Sequence, residues 1–372
     1  MAIDTDTMKG VRVDLRELKA AAAAIRKAPR TRNPSDPWSG HALLAYNALH
    51  GGSDDMIVSV PLGDAFGMAL AVPYDTIAVA VKHKGTARIL RDAIILDDGT
   101  VLRFSSLADA ANDMLSSLKA IAYVAAEAYD SVCMYTGAEY RDGAAMILPA
   151  TSKDTSRPVL RGVYIDSGEW SATDCYRLHT ATIAANPDVL SGEGGAIIPA
   201  KALGIIAAAT KADGVRITAQ GGRAYIFASR AGQVIRTVSV RIIDGQYPNV
   251  LKLYPDYTDA TITCDGDALV AALSNATRHD SVAVLSNDAG ALRVEIRAPK
   301  EAYPVAESTI SADCLAFDPI GIHADYLRDA INAMPGTDVT LLMGGALRPV
   351  IIEPADHSEP YGARALVMPI RI

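Results

Sequence analysis

Residues 198–208 read Ile198-Pro199-Ala200-Lys201-Ala202-Leu203-Gly204-Ile205-Ile206-Ala207-Ala208, and the same pattern recurs twice elsewhere in the chain. Upstream stands Val72-Pro73-Tyr74-Asp75-Thr76-Ile77-Ala78-Val79-Ala80-Val81-Lys82; downstream stands Ile322-His323-Ala324-Asp325-Tyr326-Leu327-Arg328-Asp329-Ala330-Ile331. In each, apolar residues at i, i+3 and i+4 spell one face of a short helix, which runs into a turn marked by Gly85, Gly214 or Pro335-Gly336. An alternating strand follows, as in Val215-Arg216-Ile217 and Val339-Thr340-Leu341. A branched apolar residue lies 12 positions beyond each helical anchor: Ile89 after Ile77, Val215 after Leu203, Val339 after Leu327. The anchors are 126 and 124 residues apart, so three periods account for nearly all of the 372 residues. The expectation is three α+β domains of one design, at 1–128, 129–256 and 257–372.

Each period should open with an earlier helix. Asp14 to Ala28 has Asp14 placed to cap it, Glu17 three residues on, and Pro29 to stop it. Asp265 to His279 is the counterpart in the third period. Strand patterns stand at Ala93 to Leu96, before the Asp97-Asp98-Gly99 turn, at Arg223 to Ser229, and at Thr237 to Ile243. The middle period is harder to read. The repeat puts its first helix near 140–154, although Pro149 falls inside, whereas helical propensity is best at Ser116 to Tyr129. Following the period makes 105–130 an irregular or inserted connection between domains.

Composition narrows the function. Half of the residues are apolar and 21% are charged, which excludes a disordered chain. With 35 basic against 43 acidic residues, the net charge of −8 excludes bulk electrostatic attraction to nucleic acid, so any DNA role requires a local patch. Cys133, Cys175, Cys264 and Cys314 are widely separated, with no CxxC pair and no histidine cluster beside them, and indicate neither a metal site nor a disulfide framework. The opening Met1-Ala2-Ile3-Asp4-Thr5-Asp6 is acidic where a signal peptide is basic, and no long apolar window follows, so a cytoplasmic protein without membrane contact is expected.

Four further segments stand in order: Ala172-Thr173-Asp174-Cys175-Tyr176-Arg177-Leu178, Ile198-Pro199-Ala200-Lys201-Ala202-Leu203, Asp244-Gly245-Gln246-Tyr247-Pro248-Asn249, and Leu366-Val367-Met368-Pro369-Ile370-Arg371-Ile372. Together with Ile352-Glu353-Pro354-Ala355-Asp356, they resemble the bacterial β sliding clamps, the processivity subunits of DNA polymerase III. The resemblance is strong over 155–372 and weak over the first 150 residues. It implies a head-to-tail homodimeric ring of six clamp-type domains, with helices lining the hole and sheets forming the outer wall. It also implies a non-catalytic protein without cofactor or metal, which encircles double-stranded DNA without sequence specificity. DNA polymerase and clamp-loader subunits would dock through short linear peptides.

The implied peptide pocket lies between the second and third domains. Carried over by motif, it comprises Thr173, Arg177, Leu178, Pro248, Leu253, Leu347, Pro349, Leu366, Met368, Pro369 and Ile370. Methionine and branched aliphatic side chains suit a surface that accepts several partners, because they repack cheaply. Core packing is the competing account of Leu178, Leu253 and Leu366, and Thr173-Asp174 reads equally as a turn. Cys175, Tyr176 and Lys252 depart from the best-known members, which bears on partner preference.

The DNA-facing candidates come from the residues themselves. On a helix from Asp14 to Ala28, Arg16, Lys19, Arg26 and Lys27 fall within an arc of about 100°, away from Leu18, Ala21 and Ile25. Arg30 and Arg32 extend the patch; Lys201 and Arg278, with Lys82 and Lys84, are weaker additions. A catalytic reading finds Asp174 near His179 and the run Arg278-His279-Asp280, but no nucleophile elbow, P-loop, HExxH or dinucleotide turn. The glycine-rich Ser191 to Gly195 lacks the lysine that phosphate binding needs, and His323 occupies the repeat position of Pro73 and Pro199, a structural slot. Two alternatives stay open beside the clamp: a clamp paralogue with altered partners, and a small-molecule enzyme.

Overall fold

A computed structural model describes residues 10–29, 33, 36–63, 69–105, 108–126, 132–166, 168–183, 195–255, 260–276, 278–299, 301, 303–314, 316–358 and 361–372. Its element order repeats. The first copy runs β1 (Val11–Asp14), α1 (Leu15–Ile25), β2 (His41–Ala45), β3 (Ala48–Ser53), β4 (Met56–Pro61) and β5 (Leu70–Pro73), then α2 (Tyr74–Ala80), β6 (Thr86–Ile89), β7 (Ala93–Leu96) and β8 (Val101–Arg103). A long helix, α3 (Ala108–Ala126), follows. The second copy runs β9 (Val132–Thr136), α4 (Gly137–Ile147), β10 (Gly162–Asp166), β11 (Glu169–Thr173), β12 (Arg177–Thr182) and β13 (Ala196–Pro199), then α5 (Ala200–Ala207), β14 (Gly214–Gln220), β15 (Arg223–Arg230) and β16 (Gln233–Arg241). The third opens with β17 (Ala260–Asp265), α6 (Gly266–Leu273), β18 (Val282–Asp288), β19 (Ala291–Arg297), β20 (Ala306–Ile310), β21 (Ala312–Cys314) and β22 (Ile320–His323). It ends with α7 (Ala324–Asn332), β23 (Asp338–Met343), β24 (Val350–Pro354), β25 (Arg364–Val367) and β26 (Pro369–Ile370). The fold class is α+β with a threefold repeat of elements.

The quoted segments sit at the same place in each copy. Pro73, Pro199 and His323 end the strand that feeds the second helix, and the anchors Ile77, Leu203 and Leu327 are buried. Proline suits that junction, since its fixed φ is compatible with a strand end and its missing N–H would otherwise want a partner.

By contacts the chain divides into two compact units, 1–137 with 201–242 and 138–200 with 243–372. In the first, an eight-stranded antiparallel sheet has the order β5-β2-β3-β4-β16-β15-β14-β9, beside a four-stranded sheet β1-β6-β7-β8. Leu43, Ala45, Ile57, Ala71, Tyr225 and Phe227 on the large sheet pack with Trp38 and with Ala110, Ala111, Met114 and Leu118 of α3. Ala42, Leu44, Met56 and Val58 alternate with these and are also buried, so the sheet is covered on both faces. Gly51 on β3 allows a close approach: a Cβ there would lie 2.9 Å from Ile25 of α1 and 2.7 Å from the Tyr74 hydroxyl. In the second unit a nine-stranded sheet has the order β13-β10-β11-β12-β25-β24-β23-β17-β21, and a five-stranded one β20-β19-β18-β22-β26.

Several sequence expectations need correction. The stretch 105–130 is not an irregular connection: α3 occupies most of it, because Ala110, Ala111, Met114 and Leu118 form a stripe that the Tyr225 and Phe227 face covers. The middle repeat nonetheless has its own helix, α4, which stops at Ile147 because Pro149 follows; Leu148–Ala150 form one 3-10 turn. Helix α1 is shorter than Asp14 to Ala28. The Asp14 carboxylate caps it by accepting from Arg16 N at 2.7 Å, and after Ile25 the backbone tightens, with Lys27 N bonding to Ala24 O. Helix α6 ends at Leu273 rather than His279. Ser274 Oγ and Asn275 Nδ2 bond to the carbonyls of Val270 and Ala272 at 2.8 and 3.0 Å and draw the last turn closed. The strand expected at Thr237 to Ile243 ends at Arg241.

Candidate docking site on the second unit

The site is built around the turn between β11 and β12. Thr173 Oγ1 donates to Arg177 O at 2.7 Å and accepts from Cys175 N at 3.2 Å. Asp174 Oδ1 accepts the backbone N–H groups of Tyr176 and Arg177, each at 3.0 Å. These bonds hold Cys175 in the left-handed region at φ 79° and turn the Tyr176 side chain to solvent.

Arg177 is buried, and its charge is answered twice. Nε donates to Asp174 at 3.0 Å, Nη1 donates to Asp329 of α7 at 2.6 Å, and the guanidinium lies 4.3 Å from the Tyr326 ring centroid. Both partners are needed, because a desolvated guanidinium without them would be costly. Arg177 therefore locks the turn onto α7, and its side chain is committed to that task.

Beyond the turn, β12 pairs with β25, with Leu178 opposite Leu366 and Arg177 opposite Val367; Met368 N extends the ladder by donating to Tyr176 O at 2.8 Å. Leu178 and Leu366 are buried with Leu160, Ile197, Tyr247 and Val250. They form a floor. Tyr247 stacks on Tyr164 at a centroid distance of 5.3 Å, which places Pro248, exposed, beside that cluster. Val350 lies opposite Val367, so Pro349 comes level with Met368. Above the floor, Tyr176, Leu253, Leu347 and Met368 expose 63, 55, 63 and 40% of their surface, and Ile370 36%. Pro349 and Pro369 are half-buried. The arrangement offers a wet apolar rim over a dry floor, suited to an extended apolar peptide.

An aromatic row borders this rim. Tyr176 stacks toward Tyr326 at 6.4 Å, Tyr326 on His323 at 4.1 Å, and His323 meets His279 edge-on at 5.3 Å. Sequence reasoning placed none of Tyr326, His279 and Asp329 in the docking site, and met His279 only in the run Arg278-His279-Asp280. Tyr326 and Asp329, three apart on one face of a helix, carried the available signal. Behind the floor, His179 Nδ1 donates to Met146 O at 2.7 Å, and burial holds its pKa down at about 4.

The DNA-facing candidates are placed as follows. Arg16 and Lys19 lie on α1, Arg26 and Lys27 just past its end, and all four are exposed. Lys201 is exposed in the first turn of α5, and Arg278 is exposed beyond α6, 3.7 Å from Asp280. Arg30 and Arg32 lie outside the described residues. Among the described residues, no group of acidic, histidine and cysteine side chains is placed to hold a metal ion, and no helix is long and apolar enough to cross a membrane.

No family model matches the chain. Among curated proteins it is similar to the β sliding clamp of Synechococcus elongatus, with 27% identity over 251 residues, or 62% of this chain and 63% of that protein. It is also similar to that of Streptococcus pneumoniae serotype 4, with 26% identity over 238 residues and 60% of each chain. The matched stretch thus spans less than two thirds of these relatives. Among solved structures, the sliding clamp of Bartonella birtlesii superposes with a TM-score of 0.77 at 17% identity, covering 97% of this chain and 99% of that one. The DNA polymerase III β subunit of Pseudomonas aeruginosa gives 0.76 at 17% identity, again over 97% and 99%. The chain has the β sliding-clamp fold over 97% of its length and is similar in sequence, over about 60% of its residues, to bacterial β sliding clamps.

Proposed function

We propose that two copies of this chain close head to tail into a ring around double-stranded DNA and tether DNA polymerase to it. The observation that carries this reading is a bookkeeping of sheet edges. β4 of the first repeat pairs with β16 of the second, and β12 of the second pairs with β25 of the third. By position in the repeat, β8 is the equivalent of β16 and β25, and β20 the equivalent of β4 and β12. Among the described residues, β8 and β20 end their sheets. One chain therefore carries one unmatched edge of each kind, which a second copy satisfies in both places.

Three domains, at 1–128, 129–256 and 257–372, make six in the ring. The net charge of −8 fits encirclement better than gripping, because a closed ring holds DNA by topology, whereas ionic binding fades with salt. Arg16, Lys19, Arg26, Lys27, Arg30, Arg32, Lys201 and Arg278 face the duplex in this reading. The rim of Tyr176, Leu253, Leu347, Met368 and Ile370 over Leu178 and Leu366 takes short peptides of polymerase and clamp-loader subunits. The chain acts without catalysis in the cytoplasm, and a separate loader opens the ring.

Sedimentation should give twice the chain mass of 39.2 kDa, and Leu102→Asp on β8 should reduce it to one. Loaded protein should stay on circular DNA at high salt and leave after linearisation. A single-chain mass for the unaltered protein, or equal loss from both DNA forms, overturns the reading.

A further inference from the structure

Beside the turn that carries Tyr176 lies a cavity of about 320 Å³, lined by Thr151, Lys153, Arg157, Tyr176, His279 and Tyr326 among others. It is contiguous with the apolar rim through Tyr176, whose carbonyl accepts from Met368 N. Tyr176, Tyr326 and His279 supply its aromatic wall, and His323 packs against the Tyr326 and His279 rings.

The charged groups around this row cancel almost completely. From the 151–157 segment come Lys153, Asp154 and Arg157. From the turn and β12 come Asp174 and Arg177; from α7 come Asp325, Arg328 and Asp329. The segment after α6 adds Arg278 and Asp280. Lys153, Arg157, Arg177 and Arg328 balance Asp154, Asp174, Asp325 and Asp329, and Arg278 balances Asp280. Arg157 Nη1 also donates to the Cys175 sulfur at 2.7 Å. The sign of the cavity is therefore set by the His279 imidazole, the type of side chain whose charge changes nearest to neutral pH.

Its geometry suits that part. His279 is 79% exposed by side chain, and its Nδ1 lies 2.6 Å from Asp325 Oδ2. That bond is available to the neutral ring, so protonation adds an Nε2–H donor without breaking it. His323 Nδ1 is buried with no hydrogen-bond partner among the described residues. Burial lowers the His323 pKa, which delays its charge to below the ordinary histidine range. Asp325 is kept ionised: burial opposes its charge, but the bonds from His279 and Arg328 outweigh it and its pKa is lowered.

We propose that this cavity receives an acidic residue flanking the apolar segment of a docking peptide, and that protonation of His279 tightens its hold. The partner class is an acidic-apolar peptide, and its attachment strengthens as pH falls. This rests on the docking reading above and adds the chemistry of the flank and its proton linkage.

The test uses the full chain and two labelled peptides, Glu-Asp-Leu-Leu-Phe and Gln-Asn-Leu-Leu-Phe, followed by fluorescence anisotropy between about pH 8 and about pH 6, the range of imidazole titration. The acidic peptide should bind about threefold or more tightly at the lower pH, while the neutral peptide stays level. His279→Gln, at an exposed position, should flatten the acidic peptide's profile. Level binding of the acidic peptide in the unaltered protein, or a pH response that persists in His279→Gln, overturns the proton linkage alone. Binding of neither peptide at any pH overturns the docking reading and this inference with it.

Discussion

At the scale of single residues, the buried histidines make the sharpest statement. His50 lies between Ser59 Oγ and Ala45 O, at 2.7 and 3.1 Å, and burial lowers its pKa to about 4, as it does for His179. A folded-state pKa below the unfolded value means that the unfolded chain binds the extra proton. The stabilisation is therefore complete above about pH 6.5 and is lost as pH falls toward about 4, on the order of 3 kcal/mol for each ring. Urea midpoints measured across that window should fall, and should fall less for a His50→Gln, His179→Gln chain; parallel profiles would show that carboxylates alone set the acid limit. Arg177 marks how far a residue's role can be read from sequence. The improbability of an unpaired buried arginine was legible, but its second partner, Asp329, is 152 positions away and declares itself only in the fold.

At the scale of elements, the repeat was legible because its evidence is local: an apolar stripe, a turn residue and an alternating strand within some 20 positions. The three helices after Pro73, Pro199 and His323 stand where that pattern put them. Helix α3 was misread because its support is distant. Its stripe of Ala110, Ala111, Met114 and Leu118 is weakly apolar, and the Tyr225 and Phe227 that cover it come more than 100 residues later. Met114 is fully buried there, so Met114→Ala should cost about 3 kcal/mol in urea unfolding. A cost near zero would mean that α3 rests on the sheet without stabilising it. The docking rim divides in the same way. Leu178 and Leu366 became core, paired across β12 and β25, whereas Met368 just past β25 and Leu253 in the 3-10 turn Val250–Leu253 remained on the surface, a distinction set by position in the fold and not by hydrophobicity.

At the scale of the whole molecule, charge and topology have to be weighed together. Arg16 and Lys19 are exposed on α1 in a chain that is acidic overall. In a ring they would guide DNA during loading and contribute little to holding it. Arg16→Glu with Lys19→Glu should lower the log-log salt slope of initial DNA association by roughly 2, if each meets one phosphate, and leave retention on closed circles unchanged. Loss of retention would mean that these side chains grip the duplex.

The β8 and β20 edges have a consequence for assembly. Two unlike, mutually complementary edges on one chain define a monomer for polymerisation, and nothing in the strands themselves sets the number joined. Closure is decided by curvature: a chain bent through half a circle ends at two copies, and a straighter one would grow into a filament. Should two copies close as proposed, substitutions far from either seam that alter the angle between a chain's two edges are the ones that would open the pair into a fibre.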